Sequence, residues 1–145
     1  MEKKLHLLLI SNFLSGPSIN RNVWQDLADH LRELNYEVIT TSHWQNKPFR
    51  LIDMLWTILY LRHHYDLVQI DVFSGQAFTW AYLSGKLLRK LGKPFILTLH
   101  GGNLPAFSKQ HYRRVSKALS WANVVISPSG YLQSEMKRFR SDILL

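Results

Sequence analysis

The feature of this sequence that most restricts its fold is a regular alternation of short apolar runs with longer amphipathic segments. The runs are of strand length, and helical spacing of apolar residues fills the segments between them. The predicted strands are Leu5–Ile10, Tyr36–Thr41, Asp66–Val72, Phe95–Leu99 and Asn123–Ser127. Strands that alternate with helices predict an α/β, Rossmann-like parallel sheet with helices on both faces. A chain of 145 residues has the size of one such domain.

Residues with special backbone preferences mark where the predicted helices begin and end. Asn35 is suited to the left-handed conformation that ends the first helix, and Gly92 to the same role after the third. Ser108 is predicted to cap a basic helix that runs to about Trp121, and Pro128 to occupy the first position of the last helix. The final segment, Ser141–Leu145, is predicted to start a sixth strand.

Composition restricts the partners more than it restricts the fold. Cysteine is absent, which excludes disulfides and thiolate metal sites, and the formal net charge is +8. That charge favours an anionic partner, although a solvated basic face is an equally simple explanation. His6 interrupts the N-terminal apolar run, whereas a secretory leader needs about 7–15 apolar residues. The expected location is therefore the cytoplasm, with the cytoplasmic membrane surface as an alternative.

Ligands of parallel α/β sheets bind outside the carboxyl ends of the strands, so the loops there are the candidate sites. The first, "SNFLSGPSINRN", contains Gly16 and ends at a helix start with Asn20 and Arg21. Free N–H groups and the helix dipole favour an anion at such a position. The loop has neither the G-x-G-x-x-G nor the Walker A pattern, and an ordinary connection is the alternative.

A second candidate loop, "HGGNLP", follows the fourth strand. His100 is suited to hydrogen-bond a hydroxyl or phosphate group, or to move a proton near neutral pH. Gly101 and Gly102 allow a ligand to approach the backbone closely, and Asn103 adds a polar side chain. The alternative is a structural histidine beside a Gly-Gly turn. A third loop, Phe73–Gln76, is compatible with polar contacts but not diagnostic.

Three segments together resemble the N-terminal domain of family 4 glycosyltransferases: "LTLHGGNLP", "INRNVWQDLADHL" and "ANVVISPSGYL". That family consists of retaining enzymes with two Rossmann-like domains, the GT-B architecture. The resemblance covers essentially the whole chain, and the His-Gly element is its most specific part. It implies a sugar transfer from a nucleotide-sugar donor to a hydroxyl acceptor, such as a glycan or a lipid-linked molecule of polysaccharide biosynthesis.

The same resemblance implies roles for individual residues. His100 would reach the donor sugar, and the loop around Gly16 would approach the donor diphosphate. The family often has two adjacent glycines there, where this chain has Ser15 followed by Gly16. Arg21 would contact a charged acceptor or the diphosphate. No metal and no cofactor is implied.

The resemblance also implies a donor-binding domain with two glutamates eight positions apart. The glutamates of this chain lie at positions 2, 33, 37 and 135, and none of them has that spacing. The donor domain is therefore expected to be absent, and residues 1–145 are expected to form one domain that is inactive alone. The alternative is a stand-alone module that binds a phosphorylated or anionic ligand without catalysis.

Two helices are candidates for a membrane surface. The second half of the chain contains most of the basic residues, including Arg113, Arg114 and Lys117 on one helix. The helix Phe49–His64 is rich in aromatic and aliphatic residues, and it is predicted either to lie at an interface or to be buried. Nucleic acid is not expected as a partner, because Tyr112 and Trp121, the only aromatic candidates for base stacking on the basic helix, both fit core spacing.

Overall fold

A computed structural model describes residues 3–11, 23–41 and 43–145 of the chain. The described strands are β1 (His6–Ile10), β2 (Glu37–Thr41), β3 (Leu67–Val72), β4 (Phe95–Leu99) and β5 (Val124–Ile126). The described helices are α1 (Val23–Glu33), α2 (Lys47–Tyr60), α3 (Gln76–Lys90), α4 (Leu104–Gln110), α5 (Tyr112–Trp121) and α6 (Gly130–Met136). The strands form one sheet in the order β2-β1-β3-β4-β5, which confirms the predicted Rossmann-like α/β class.

The chain divides into two units, residues 1–68 and residues 69–145. In the first unit, β1 pairs with β2 in parallel, with His6 opposite Glu37 and Ile10 opposite Thr41. Leu9 and Ala28 are buried, and α1 and β2 pack Trp24, Leu31 and Val38 around them. Asn35 has a φ of 72°, so it takes the predicted left-handed conformation just after α1.

Helix α2 begins two residues before the predicted start and ends four residues before the predicted end. Asn46 caps it by accepting a hydrogen bond from the Phe49 amide, and the proline that follows Lys47 fits the first turn because that turn needs no amide donor. At the other end, the Tyr65 hydroxyl donates to the Ile58 carbonyl at 2.7 Å. The helix therefore stops where side chains satisfy its last carbonyl groups.

One face of α2 is buried and the opposite face is exposed. Arg50, Met54 and Ile58 point inward, and the Arg50 guanidinium donates to the carbonyls of Trp44 and Gln45. Burial of this group lowers the pKa of Arg50. The exposed apolar side chains of the helix are Phe49, Ile52, Trp56, Leu59 and Tyr60. The sequence predicts that this helix either lies at an interface or is buried, and the structure shows that only one of its faces is buried.

In the second unit, β4 pairs with β5 in parallel, and α5 packs against both α3 and α4. Helix α3 ends at the left-handed Gly92, as predicted. The guanidinium of Arg140 donates to the carbonyls of Leu119 and Ala122 at 2.6 and 2.7 Å, so it satisfies the C-terminal end of α5. These contacts attach the C-terminal segment of the chain to the end of α5.

The predicted basic helix from Ser108 to Trp121 is wrong in its start and its continuity. Two helices, α4 and α5, occupy this stretch, and the break lies at His111, whose φ of −121° and ψ of 40° are not helical. Ser108 lies inside α4 and is fully buried. Because Pro105 is accommodated at the start of a helix, α4 already begins at Leu104, directly after the glycines.

The C-terminal segment also differs from its prediction. Ser129, rather than Pro128, adjoins the last helix, and its hydroxyl caps α6 by accepting from the Leu132 amide. The predicted start of a sixth strand is reduced to an isolated parallel bridge between Ile126 and Leu144. The Leu144 amide donates to the Val125 carbonyl, and the Ser127 amide donates to the Leu144 carbonyl. Ile143 is buried, so the segment also packs against the unit.

Candidate functional site

The loop that follows β4 is fixed at the carboxyl end of the neighbouring strand. The amide of His100 donates to the carbonyl of Val72, the last residue of β3, at 2.9 Å. Gly101 has a φ of 90°, which turns the chain, and the Leu104 amide then donates to the Gly101 carbonyl. Leu104 is buried and anchors the far side of the loop. A ligand that reaches this edge of the sheet therefore meets a histidine whose backbone position is set by two strands.

The imidazole of His100 is held by two side chains from the end of β3. Its Nε2 atom lies 3.0 Å from Oδ1 of Asp71, and the Asp71 side chain is only 3% exposed. The ring of Phe73 stacks on the imidazole, with centroids 5.0 Å apart and an interplanar angle of 24°. A buried carboxylate requires a hydrogen-bond donor, and the imidazole supplies one here. The histidine is thus fixed in both position and ring orientation.

A second polar pair lies beside the first on the same two strands. The side-chain amide of Gln69 donates to the hydroxyl of Thr98 at 3.1 Å. Side chains two positions apart on a strand point to the same face, so Gln69 shares a face with Asp71, and Thr98 shares one with His100. The two pairs form a polar ladder within strands that are otherwise apolar.

The backbone beyond His100 is open to solvent. Gly101, Gly102 and Asn103 are all exposed, and a Cβ atom added at either glycine would meet no heavy atom within 4 Å. Asn103 precedes α4 but makes no side-chain capping bond to it. The loop therefore presents a fixed imidazole edge, bare backbone and an exposed amide, which together suit a polar, hydroxyl-rich ligand.

Of the predicted site residues, His100, Gly101, Gly102 and Asn103 lie together in this loop. Gly16, Asn20 and Arg21 lie outside the described residues. Asp71 belongs to the site but is not among the predicted site residues, and Phe73 begins the third candidate loop, for which the sequence predicts no specific role. Their signal in the sequence is polar residues two positions apart in each strand, Gln69 with Asp71 and Thr98 with His100. In an apolar strand, such a pair indicates a polar face.

The other aspartate near β3 has a separate role at the amino end of that strand. Asp66 accepts a hydrogen bond from the amide of His6 at 3.0 Å and lies 3.3 Å from the Lys3 ammonium group. These contacts, the His6 amide first, lower the pKa of Asp66. Among residues 3–11, 23–41 and 43–145, no cluster of three or more His, Asp or Glu side chains could hold a metal ion.

The electrostatic character of the second unit is strongly positive. Residues 69–145 contain eleven Lys and Arg but only three acidic residues, whereas residues 1–68 contain seven of each kind. The three acidic residues each have a basic partner: Asp71 with His100, Glu135 with Lys109, and Asp142 with Arg140. The whole net charge of +8 therefore arises from the unit that contains the His100 loop.

A parallel α/β fold with a polar site at the carboxyl ends of its strands defines a domain of the Rossmann-like ligand-binding class. Residues 21–143 match the family model for Glycosyltransferase Family 4, and the chain belongs to that family. No curated protein matches the chain. The family assignment confirms the resemblance seen in the sequence, and GT-B architecture is consistent with it.

Proposed function

We propose that this chain is the acceptor-binding half of a retaining glycosyltransferase and that His100 contacts the donor sugar. Family membership supports a sugar transfer, and the observation that supports this site is the His100 imidazole, held 3.0 Å from a buried carboxylate beside exposed glycines. A nucleotide sugar is the proposed donor, and a hydroxyl group of a glycan or lipid-linked molecule is the proposed acceptor.

The proposal includes a division of labour between two domains. Residues 1–145 form one Rossmann-like domain in this proposal, and a second domain binds the nucleotide and supplies the paired glutamates. In this proposal, Gly16, Asn20 and Arg21 contact the diphosphate and the acceptor. Closure of two such domains excludes water and brings the donor-side charges to the reacting carbon. The 145-residue chain alone is therefore expected to be inactive.

A transfer assay with radiolabelled nucleotide sugars tests this division. The 145-residue chain and the same chain joined to a family 4 donor-binding domain are compared, with lipid-linked and soluble glycan acceptors. Transfer by the joined protein only, with retained anomeric configuration, is the expected result. Transfer by the 145-residue chain alone would contradict the division, and an inverted product would contradict the retaining mechanism.

We also infer that the protein binds anionic membrane surfaces through the second unit, because the charge is segregated there. The cations of α3 and α5 meet at Trp121, where Arg89 Cζ and Lys117 Nζ each lie 5.9 Å from the ring centroid. Arg89, Lys93 and Trp121 help to line a groove of about 250 Å³. No helix in the described part of the chain is both long and apolar enough to cross a bilayer. The proposed binding is peripheral, through charges at the surface of the unit.

Co-sedimentation with vesicles of phosphatidylcholine and phosphatidylserine tests the membrane proposal. The double substitution Lys86→Gln/Lys90→Gln removes two exposed charges from α3, and Lys3→Gln/Lys4→Gln removes two from the first unit. Each basic group near an anionic surface contributes about 1 kcal/mol, so the loss of two such groups is expected to weaken binding of the α3 variant by about 30-fold. Equal effects of the two variants, or binding that is insensitive to salt, would contradict the proposal.

A further inference from the structure

We propose that Asp71 is the positioning residue for His100: it fixes the tautomer and orientation of the imidazole that faces the sugar. This inference rests on the proposed function, because it assigns Asp71 a role in the same site. Asp71 itself does not touch the substrate in this proposal. Its carboxylate acts only through the histidine ring.

The geometry assigns the hydrogen-bonding roles of both ring nitrogens. Ionised carboxylate oxygens only accept hydrogen bonds, so the contact of 3.0 Å between Asp71 Oδ1 and His100 Nε2 requires the proton to reside on Nε2. In the neutral imidazole the lone pair then belongs to Nδ1, which acts as an acceptor. A hydroxyl group that meets Nδ1 is therefore recognised as a donor, as the hydroxyls of a sugar can be.

The surroundings of Asp71 and His100 disfavour other orientations of the imidazole ring. Asp71 is 3% exposed at its side chain and His100 is 15% exposed, so water competes poorly for the bond between them. The stacked ring of Phe73 opposes a rotation of the imidazole out of its plane. Beside them, the bond between Gln69 and Thr98 joins the same two strands and holds their side chains in register. Asp71 and Phe73 act on the ring itself, whereas the bond between Gln69 and Thr98 supports the two strands that position it.

The positioning role is distinct from a purely structural one because it predicts a particular tautomer. Asp71→Asn preserves the size of the side chain but introduces an amide donor beside Nε2. The amide favours a ring whose Nε2 accepts and whose Nδ1 carries the proton, which reverses the hydrogen-bonding polarity at the ligand side. A substitution that merely loosened the fold would not reverse it.

Two-bond ¹H–¹⁵N correlation spectra of the ¹⁵N-labelled 145-residue protein test the assignment directly. At about pH 8.5, where histidine is ordinarily neutral, His100 is expected to be the Nε2–H tautomer. In Asp71→Asn it is expected to shift towards the Nδ1–H tautomer, whereas Asp66→Asn, at the other end of β3, leaves it unchanged. An Nδ1–H tautomer in the wild-type protein would overturn the proposal even if the Asp71 variant failed to fold.

Transfer kinetics of the chain joined to a donor-binding domain separate the role of Asp71 from that of His100. Asp71→Asn is expected to lower kcat at least tenfold, and to add little further loss when combined with His100→Gln, because both act through one ring. Normal kcat in Asp71→Asn beside an impaired His100→Gln would overturn the role of Asp71 alone. Full activity of His100→Gln would overturn the proposed function of His100 and this inference with it, leaving the tautomer assignment intact.

Discussion

At the scale of single residues, the His100 loop combines two neighbouring glycines with different physical requirements. Gly101 has a φ of 90°, a conformation that other residues adopt at a cost, whereas Gly102 does not have a positive φ. A methyl group would meet open space at either position. The backbone therefore requires glycine at Gly101, and any requirement at Gly102 must come from a ligand.

Substitution of the two glycines by alanine separates these requirements. Gly101→Ala is expected to destabilise the protein by about 1 kcal/mol, since an L-residue is strained at positive φ. Gly102→Ala is expected to leave the free energy of unfolding unchanged but to raise the KM for the donor or acceptor in the joined protein. Chemical denaturation and transfer kinetics measure the two effects. Unchanged kinetics in Gly102→Ala would show that no ligand approaches this backbone.

Sequence reasoning found the histidine and its glycines but missed the residues that hold the imidazole. Asp71 lies 29 positions before His100 in the sequence. The two residues meet because they stand at the ends of two neighbouring strands, and pairing between strands follows from register, which a local pattern does not provide. The stacking of Phe73 on His100 is not predicted for the same reason, although Phe73 begins one of the candidate loops. The loop could be predicted because its signal is local. The side-chain contacts of the imidazole could not be predicted, because they join residues that are distant in the sequence.

At the scale of secondary-structure elements, the strands were predicted more accurately than the helix ends. β4 was predicted to the residue, because a proline precedes it and a histidine follows an apolar run. Ser108, in contrast, has the composition of a helix cap, but its hydroxyl is buried inside α4. Tertiary packing at Leu104 and Pro105 determined that helix start, and cap preference alone does not include packing.

The C-terminal end of α2 depends on the buried hydroxyl of Tyr65. Burial raises the pKa of Tyr65 to about 12, with the nearby positive charge of Arg62 opposing the increase. Because the pKa of Tyr65 is higher in the folded protein than in the unfolded chain, the protonated hydroxyl stabilises the fold fully at pH values below the unfolded-state pKa, near 10. This stabilisation is lost as the pH rises towards 12. Tyr65→Phe is expected to cost about 1 kcal/mol at pH 7. Unfolding experiments should show this difference shrink between about pH 10 and 12; a constant difference would contradict the account.

The amino ends of β1 and β3 are joined through Asp66, which gives an acid-sensitive contact. The pKa of Asp66 in the folded protein is lowered by the His6 amide and by Lys3. The ionised carboxylate therefore stabilises the fold fully at pH values above the unfolded-state pKa, near 4. This stabilisation is lost as the pH falls through the lower pKa of the folded state. Asp66→Asn is expected to lower Tm at pH 7 and to differ little from wild type near pH 2. A Tm difference of equal size at both pH values would show that the charge is unimportant.

At the scale of the whole molecule, charge and apolar exposure are distributed unevenly. The second unit holds the entire net charge, while the first unit holds the exposed apolar face of α2, where Trp56 is 61% and Tyr60 is 67% exposed. Tyr112, which was predicted to lie in the core, is 52% exposed. The fold class and the family could be predicted from the sequence because both depend on repeated local patterns. The exposure of individual side chains could not be predicted, because it depends on packing between elements.

The central claim is that His100 belongs to the transfer site of a family 4 glycosyltransferase, and the choice of variant is critical to its test. His100→Ala would leave the buried Asp71 carboxylate without the donor described here. A loss of activity in that variant could then result from a loss of stability. His100→Gln keeps an amide donor near the position of Nε2 while removing the imidazole.

The decisive measurement is kcat for sugar transfer by the chain joined to a donor-binding domain, compared between wild type and His100→Gln at equal folded concentration. A fixed hydrogen-bonding group at a transfer site contributes about 100-fold to kcat, so a loss of that size with unchanged Tm is the predicted result. A kcat within twofold of wild type, measured on a folded variant, would contradict the account.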